Sequence, residues 1–121
     1  MSQTNSHPIE ELSPQQVAEL LHTRQILLVD VREPDEYAVE RIAGALLFPL
    51  STLDALALPA DGPRRVVFQC GSGKRSALAA QAWLAAGAPR ATHMTGGIGA
   101  WKSAGLPILR LDPATGRLAS T

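Results

Sequence analysis

The chain has 121 residues, enough for one domain with a real core and no need of disulfide or metal staples. Its 11 Lys and Arg balance 11 Asp and Glu, which excludes the one-signed field that binding to nucleic acid or an anionic membrane calls for. A single cysteine excludes an internal disulfide or a Cys-x-x-Cys site, and His7, His22 and His93 are too scattered for a metal centre, so no metal is expected.

No run is long enough to span a bilayer, and the polar stretch 1–8 lacks the apolar core of a signal peptide. A cytoplasmic protein with a loose tail over residues 1–8 is therefore expected. Ser13-Pro14-Gln15-Gln16 is a helix start, with Ser13 as N-cap, Pro14 in the first turn and Gln16 completing a capping box. Val17, Leu20 and Leu21 give that helix its apolar face. Residues 26–29 form a continuous apolar strand ending at Asp30, and 33–40 a short helix whose acidic start suits its dipole. Residues 45–48 predict another strand, closed by Pro49, and Ser51 is placed to cap a helix running to Leu56. Residues 59–63 are a turn-rich loop. The β-branched and aromatic run 65–69 reads as a covered parallel strand, and the Ala/Leu-rich stretch 76–86 as a helix ended by Gly87. A short strand over 91–94 and a small helix over 98–104 follow. Residues 106–121 lack periodicity and read as a packed segment ending in a free tail, 109–121. Trp83 and Trp101 belong to the core, and His93 reads as a satisfied core histidine rather than a base. Strands alternating with helices predict an α/β domain with a largely parallel sheet. Ligands bind such sheets beyond the carboxyl ends of the strands, where Cys70, Asp30 and Gly96-Gly97 all fall.

The chemistry concentrates between residues 69 and 76. Gly71 and Gly73 carry no Cβ to obstruct a ligand, and a turn opening into a helix aims unpaired N–H groups at one point, a setting for an anion. Cys70, the only thiol, stands at its mouth, where that field and the adjacent Lys74 and Arg75 should favour the thiolate. Spacing separates three kinds of loop. A nucleotide-binding P-loop fails, because Phe68 stands where its first Gly belongs and Arg75 where its Ser/Thr belongs. A cysteine phosphatase would carry its Arg at position 76, which is Ser76; Arg75 comes one residue too early to cradle a phosphoryl group. The third pattern, Cys-x-x-Gly-x-Arg, fits Cys70, Gly73 and Arg75.

This loop resembles that of the rhodanese family, the thiosulfate sulfurtransferases. The run from Asp30 to Tyr37, with Ile42, Ala43-Gly44-Ala45 and Phe48-Pro49-Leu50, is similar to the family's first signature. Gly96-Gly97-Ile98-Gly99-Ala100-Trp101 and Ala104-Gly105-Leu106-Pro107-Ile108 resemble its closing one. The likeness covers residues 9–108, taken as the domain; Arg41 departs from it, standing where the family usually has His.

The resemblance implies a three-layer domain with a central, mostly parallel five-stranded sheet flanked by helices. It also implies sulfur transfer: the Cys70 thiolate takes sulfur from thiosulfate or a related donor, and cyanide or a thiol removes it from the persulfide. Substrate would meet Gly71, Ser72, Gly73, Lys74, Arg75 and Ser76. Asp30 and Arg32 would be an ion pair shaping the site, Glu36 and Tyr37 scaffold, and Gly96 and Gly97 points of close backbone approach. Arg75 reads equally as a loop brace or a substrate contact, and Lys74 mainly as a solvated charge. No cofactor is implied. With no second cysteine the acceptor comes from outside, a small thiol such as glutathione or a thioredoxin-like protein; neither nucleic acid nor membrane is a partner, and a monomer is expected. Two other readings are a persulfide carrier or sensor for a partner protein, and an arsenate reductase or phosphatase on the same general fold, which the short loop disfavours.

Overall fold

The structure, a computed structural model, describes residues 9–121; the expected tail over 1–8 lies outside the described residues. Five strands form one all-parallel sheet: β1 (Ile9–Leu12), β2 (Ile26–Asp30), β4 (Leu46–Leu47), β5 (Arg65–Gln69) and β6 (Ala91–Met94), in the spatial order β1-β6-β5-β2-β4. Side chains along the central strands alternate between two cores, as the pleat requires. Ile26, Leu28 and Val67 face α1 (Pro14–His22) and α4 (Gly97–Ser103), meeting Val17, Ile98 and Trp101. Val29, Val66 and Phe68 face α3 (Lys74–Ala85), meeting Ala79, Ala80 and Trp83. Phe68 and Trp83 pack edge to face with centroids 5.6 Å apart, worth about 1 kcal/mol beyond the area they bury. Helix, sheet and helix make three layers, and Trp83 and Trp101 lie in the core as expected.

Local chemistry places the elements around the site. The Ser13 hydroxyl accepts from the Gln16 N–H at 3.2 Å while Gln16 Oε1 accepts from the Ser13 N–H at 2.8 Å, closing the expected capping box. α2 (Pro34–Val39) starts from Glu33, whose N–H donates to Glu36 at 3.0 Å. Val31 N–H donates to the Gln69 carbonyl at 3.0 Å, so the chain leaves β2 still attached to the end of β5.

Several elements depart from the sequence-based expectation. β1 was not expected; its two glutamates hide an edge strand of which only Leu12 is fully buried. The strand expected over 45–48 is confined to Leu46–Leu47, because the Phe48 and Leu50 N–H groups turn to the Asp30 and Val31 carbonyls beyond the sheet's edge. The helix expected to start at Ser51 is two 3-10 turns, Leu50–Thr52 and Ala55–Ala57. Ser51 caps nothing, its hydroxyl donating to Glu33 at 2.8 Å, and Asp54 restarts the chain by accepting from the Leu56 N–H. α3 begins at Lys74 rather than Ser76, because Gly73, at φ +105°, can serve as its left-handed N-cap.

Residues 109–121 are not a free tail. They form a hairpin, β7 (Leu109–Asp112) and β8 (Arg117–Ser120), and β7 pairs antiparallel with β3 (Glu40–Arg41) in a second, three-stranded sheet. Asp112 closes the turn, its carbonyl accepting from Gly116 at 2.7 Å and its side chain from Ala114 at 2.9 Å. Reciprocal bonds between Ile108 and Thr121 hold the end of the chain, and Glu40 receives Lys102 at 2.6 Å and Arg110 at 2.9 Å. Among the described residues no helix is long and apolar enough to cross a membrane.

Candidate active site

β5 delivers Cys70 to the carboxyl edge of the sheet, and α3 starts four residues later, so residues 71–73 must reverse the chain tightly. The turn is held from behind by α4. Ile98 N–H donates to the Cys70 carbonyl at 2.8 Å and Gly99 N–H to the Gly71 carbonyl at 3.2 Å. That approach requires Gly97: at φ +59°, any Cβ there would run into the Cys70 and Gly71 carbonyls. Gly96, the N-cap of α4, lies against Gly73 on the other side. The two glycines thus occupy the role expected of them, close backbone approach beneath the loop.

With its carbonyls committed to α4, the loop turns its N–H groups towards the sulfur. Gly73 N–H donates to Cys70 Sγ at 3.0 Å, and the Ser76 hydroxyl lies 3.7 Å from it. Burial pushes the Cys70 thiol pKa up, but the N–H and hydroxyl of Ser76 and the N–H groups of Gly73 and Ser72 outweigh it, and the net direction is downward. The side chain is fully buried. Such a cradle is suited to a thiolate, or to any anion formed on that sulfur.

Of the two cations, Arg75 has a partner that the sequence did not show. Arg75 neither donates to the sulfur nor folds over the loop carbonyls; it forms a two-pronged pair with Glu36 of α2, at 2.6 and 3.0 Å. That pair holds the Glu36 carboxyl down at about 2 and raises Arg75 further. Glu36 is therefore the anchor of the loop arginine, a role that sequence reasoning, which assigned it to scaffold, did not foresee. Lys74 is exposed and makes no side-chain ion pair among the described residues. Asp30 and Arg32 form the expected ion pair, fully buried: Arg32 donates from its backbone, Nε and Nη2 to the Asp30 carboxylate at 2.9–3.2 Å, and Nη2 also reaches the Glu40 carbonyl at 2.7 Å. Tyr37 donates to the Ala45 carbonyl at 2.6 Å, and Arg41 stacks over its ring at 4.7 Å. Among the described residues no cluster of three or more His, Cys, Asp or Glu side chains could hold a metal ion.

A family model described as the rhodanese-like domain matches residues 13–104, from the first N-cap to the C-cap of α4. The chain belongs to the rhodanese-like family. A sulfurtransferase of Allochromatium vinosum is 38% identical to it over 90 residues, covering 74% of this chain and 84% of that one. An uncharacterised protein of Synechocystis is 38% identical over 103 residues, 85% of this chain; this rhodanese-like chain spans only 58% of that relative's length. Among solved structures, a thiosulfate sulfurtransferase from Pseudomonas aeruginosa superposes with a TM-score of 0.73 at 25% identity, covering 93% of this chain and 22% of that one. The family match takes in α1 to α4 and the β2, β4, β5 and β6 strands of the main sheet; β1 and the hairpin over 109–121 lie beyond it.

Proposed function

We propose that this domain is a sulfurtransferase that carries sulfane sulfur on Cys70, from thiosulfate or a related donor to cyanide or a thiol. The observation that carries the reading is the cradle: a buried sulfur facing the loop's N–H donors, Gly73 at 3.0 Å, with Ser76 beside it. In the first half-reaction the Cys70 thiolate attacks the outer sulfur of thiosulfate. A new S–S bond forms, the old one breaks, and sulfite leaves with its electron pair. The persulfide bears its charge on the outer sulfur, where the mouth residues Gly71, Ser72 and Gly73 and the Ser76 hydroxyl stabilise it. In the second, the acceptor attacks that sulfur and restores the thiolate, a ping-pong sequence. Lys74, exposed beside the loop, attracts the dianionic donor, while Arg75 works through Glu36 to hold the first turn of α3 in place. The sulfurtransferase name of the Allochromatium relative and the thiosulfate in the name of the Pseudomonas structure support this reading. The acceptor is an external thiol, of the glutathione or thioredoxin kind, because the chain holds no second cysteine. A cytoplasmic monomer fits such a role.

Intact mass spectrometry after incubation with thiosulfate tests this directly. One sulfur atom should be gained, then lost again to cyanide or dithiothreitol, and Cys70→Ser should gain nothing. A protein whose thiol reacts normally with iodoacetamide yet never gains sulfur from thiosulfate, mercaptopyruvate or a persulfide donor is not a sulfurtransferase.

A further inference from the structure

His93 has both ring nitrogens engaged, and its partners lead to the sulfur. On β6, buried to 5% exposure, it meets Ser76 Oγ through Nδ1 at 2.8 Å and the Glu11 carboxylate through Nε2 at 3.2 Å. Ser76, itself fully buried, stands 3.7 Å from Cys70 Sγ. The sequence reading of His93 as a satisfied core histidine is right about the partners, but a structural histidine needs no hydroxyl shared with a reactive thiol.

The direction of each bond follows from counting protons. An ionised carboxylate only accepts, so Nε2 carries the hydrogen that faces Glu11. In the neutral ring Nδ1 is then bare and accepts the single proton of Ser76. That leaves the Ser76 oxygen free to accept from the Cys70 S–H. The alternative acceptor for the Ser76 proton is the Gly73 carbonyl, at 3.1 Å, longer than the 2.8 Å to His93.

Resting on Cys70 as the working nucleophile, we propose that His93, oriented by Glu11, takes the Cys70 thiol proton through the Ser76 hydroxyl. The S–H bond breaks as a new O–H bond forms at Ser76, and the former Ser76 proton passes to Nδ1. The hydroxyl ends as a donor to the thiolate, and the imidazolium, now with two N–H groups, is held between Ser76 and Glu11. No proton is lost and no other reagent is needed. His93 is a positioning residue in this scheme, since only Ser76 touches the sulfur.

The surroundings allow it. An open cleft of about 350 Å³ reaches Glu11, His93, Ser72 and Lys74, so solvent can collect the stored proton. Among the described residues, Glu11 from β1 bonds the ring, Lys74 from α3 lines the same cleft, and Cys70 is reached through Ser76; Phe68 of β5 is the register partner of His93. Of these, Glu11 is the one bonded to the ring, at 3.2 Å.

The test is the rate of Cys70 alkylation by iodoacetamide across pH, for the parent protein, Ser76→Ala, His93→Asn and the double variant. Asparagine keeps a polar group towards Ser76 but takes no proton. Each single variant should have its alkylation midpoint raised by about one pH unit, which is about tenfold slower alkylation at any pH below both midpoints. The double variant should match Ser76→Ala, because His93 reaches the sulfur only through that hydroxyl. Parent-like alkylation by His93→Asn, or losses that multiply in the double variant, overturn the relay. Should His93→Asn fail to fold, long-range ¹H–¹⁵N spectra of the parent decide the matter. An Nε2–H tautomer is required, and an Nδ1–H tautomer in the neutral ring ends the proposal. Alkylation needs no sulfur donor, so a protein that alkylates as expected but takes no sulfur from thiosulfate refutes the proposed function and leaves the relay standing.

Discussion

Replacing Glu36 by Gln removes the charge that anchors Arg75 while nearly preserving shape, and the structure sets the size of the effect. The bidentate pair, at 2.6 and 3.0 Å, is the largest cause, ahead of the Glu33 N–H and Arg32, of a Glu36 carboxyl lowered from 4.5 to about 2. Taken at face value that gap of roughly 2.5 pH units is about 3.4 kcal/mol of folding stability. Both side chains are more than a third exposed, at 35% and 36%, so solvent screens most of it. About 1 kcal/mol is the expected cost of Glu36→Gln at pH 7. The sign of the pH dependence follows from the direction of the shift. A carboxyl depressed by folding stabilises the fold above its unfolded value and loses that contribution as pH falls from about 4.5 towards 2. Urea unfolding of both proteins at pH 7 and pH 3 measures this. The difference between them should shrink to roughly half or less at the lower pH, with the slopes unchanged. Equal midpoints at pH 7, or a difference that widens on acidification, would refute the reasoning.

Gly97→Ala should cost at least about 2 kcal/mol, part from forcing a side chain to φ +59° and part from displacing the Cys70 and Gly71 carbonyls; it should also slow Cys70 alkylation. Thermal unfolding checks the first effect, and a variant within about 0.5 kcal/mol of the parent would show that α4 does not pin the loop. Lys74→Ala should raise KM for thiosulfate up to about fivefold while leaving the alkylation profile of Cys70 where it was, because loop N–H groups and not this cation hold the thiolate. A shifted alkylation midpoint with unchanged KM would reverse those assignments.

The centre of the molecule was legible in its sequence because one stretch changes period sharply. Residues 65–69 are β-branched and aromatic, residues 76–86 are Ala/Leu-rich, and only a tight reversal fits between, so strand, cradle and helix follow together. The Ser13–Gln16 capping box was equally plain, since both its bonds are local. What escaped notice depends on pairing between distant residues. Glu10 and Glu11 disguise β1, whose strand character comes from its partner β6. The 109–121 hairpin alternates half-buried and exposed residues only on one strand, and β8 is exposed throughout, so no apolar pattern announces it. Asp112-Pro113 followed by Gly116 was the one available signal, a turn between two short runs. The same limit hid the partners of Glu36 and Glu11. Each contacts a residue far along the chain, 39 positions away for Arg75 and 82 for His93.

The strand order β1-β6-β5-β2-β4 also bears on when the thiol becomes dangerous to its neighbours. Each neighbouring pair in this sheet is parallel, so none can form as a simple hairpin, and β1 must wait for β6 before it has a partner. Closing such long loops costs chain entropy before any contact rewards it, which makes parallel pairing a late event in folding. The α4 bonds to the Cys70 loop span 28 residues and belong to the same late phase. A nascent or partly folded chain therefore carries an ordinary, sluggish cysteine. Reactivity should then arrive together with the closed sheet, so pulse alkylation during refolding should show Cys70 speeding up in step with the return of native structure and not before it.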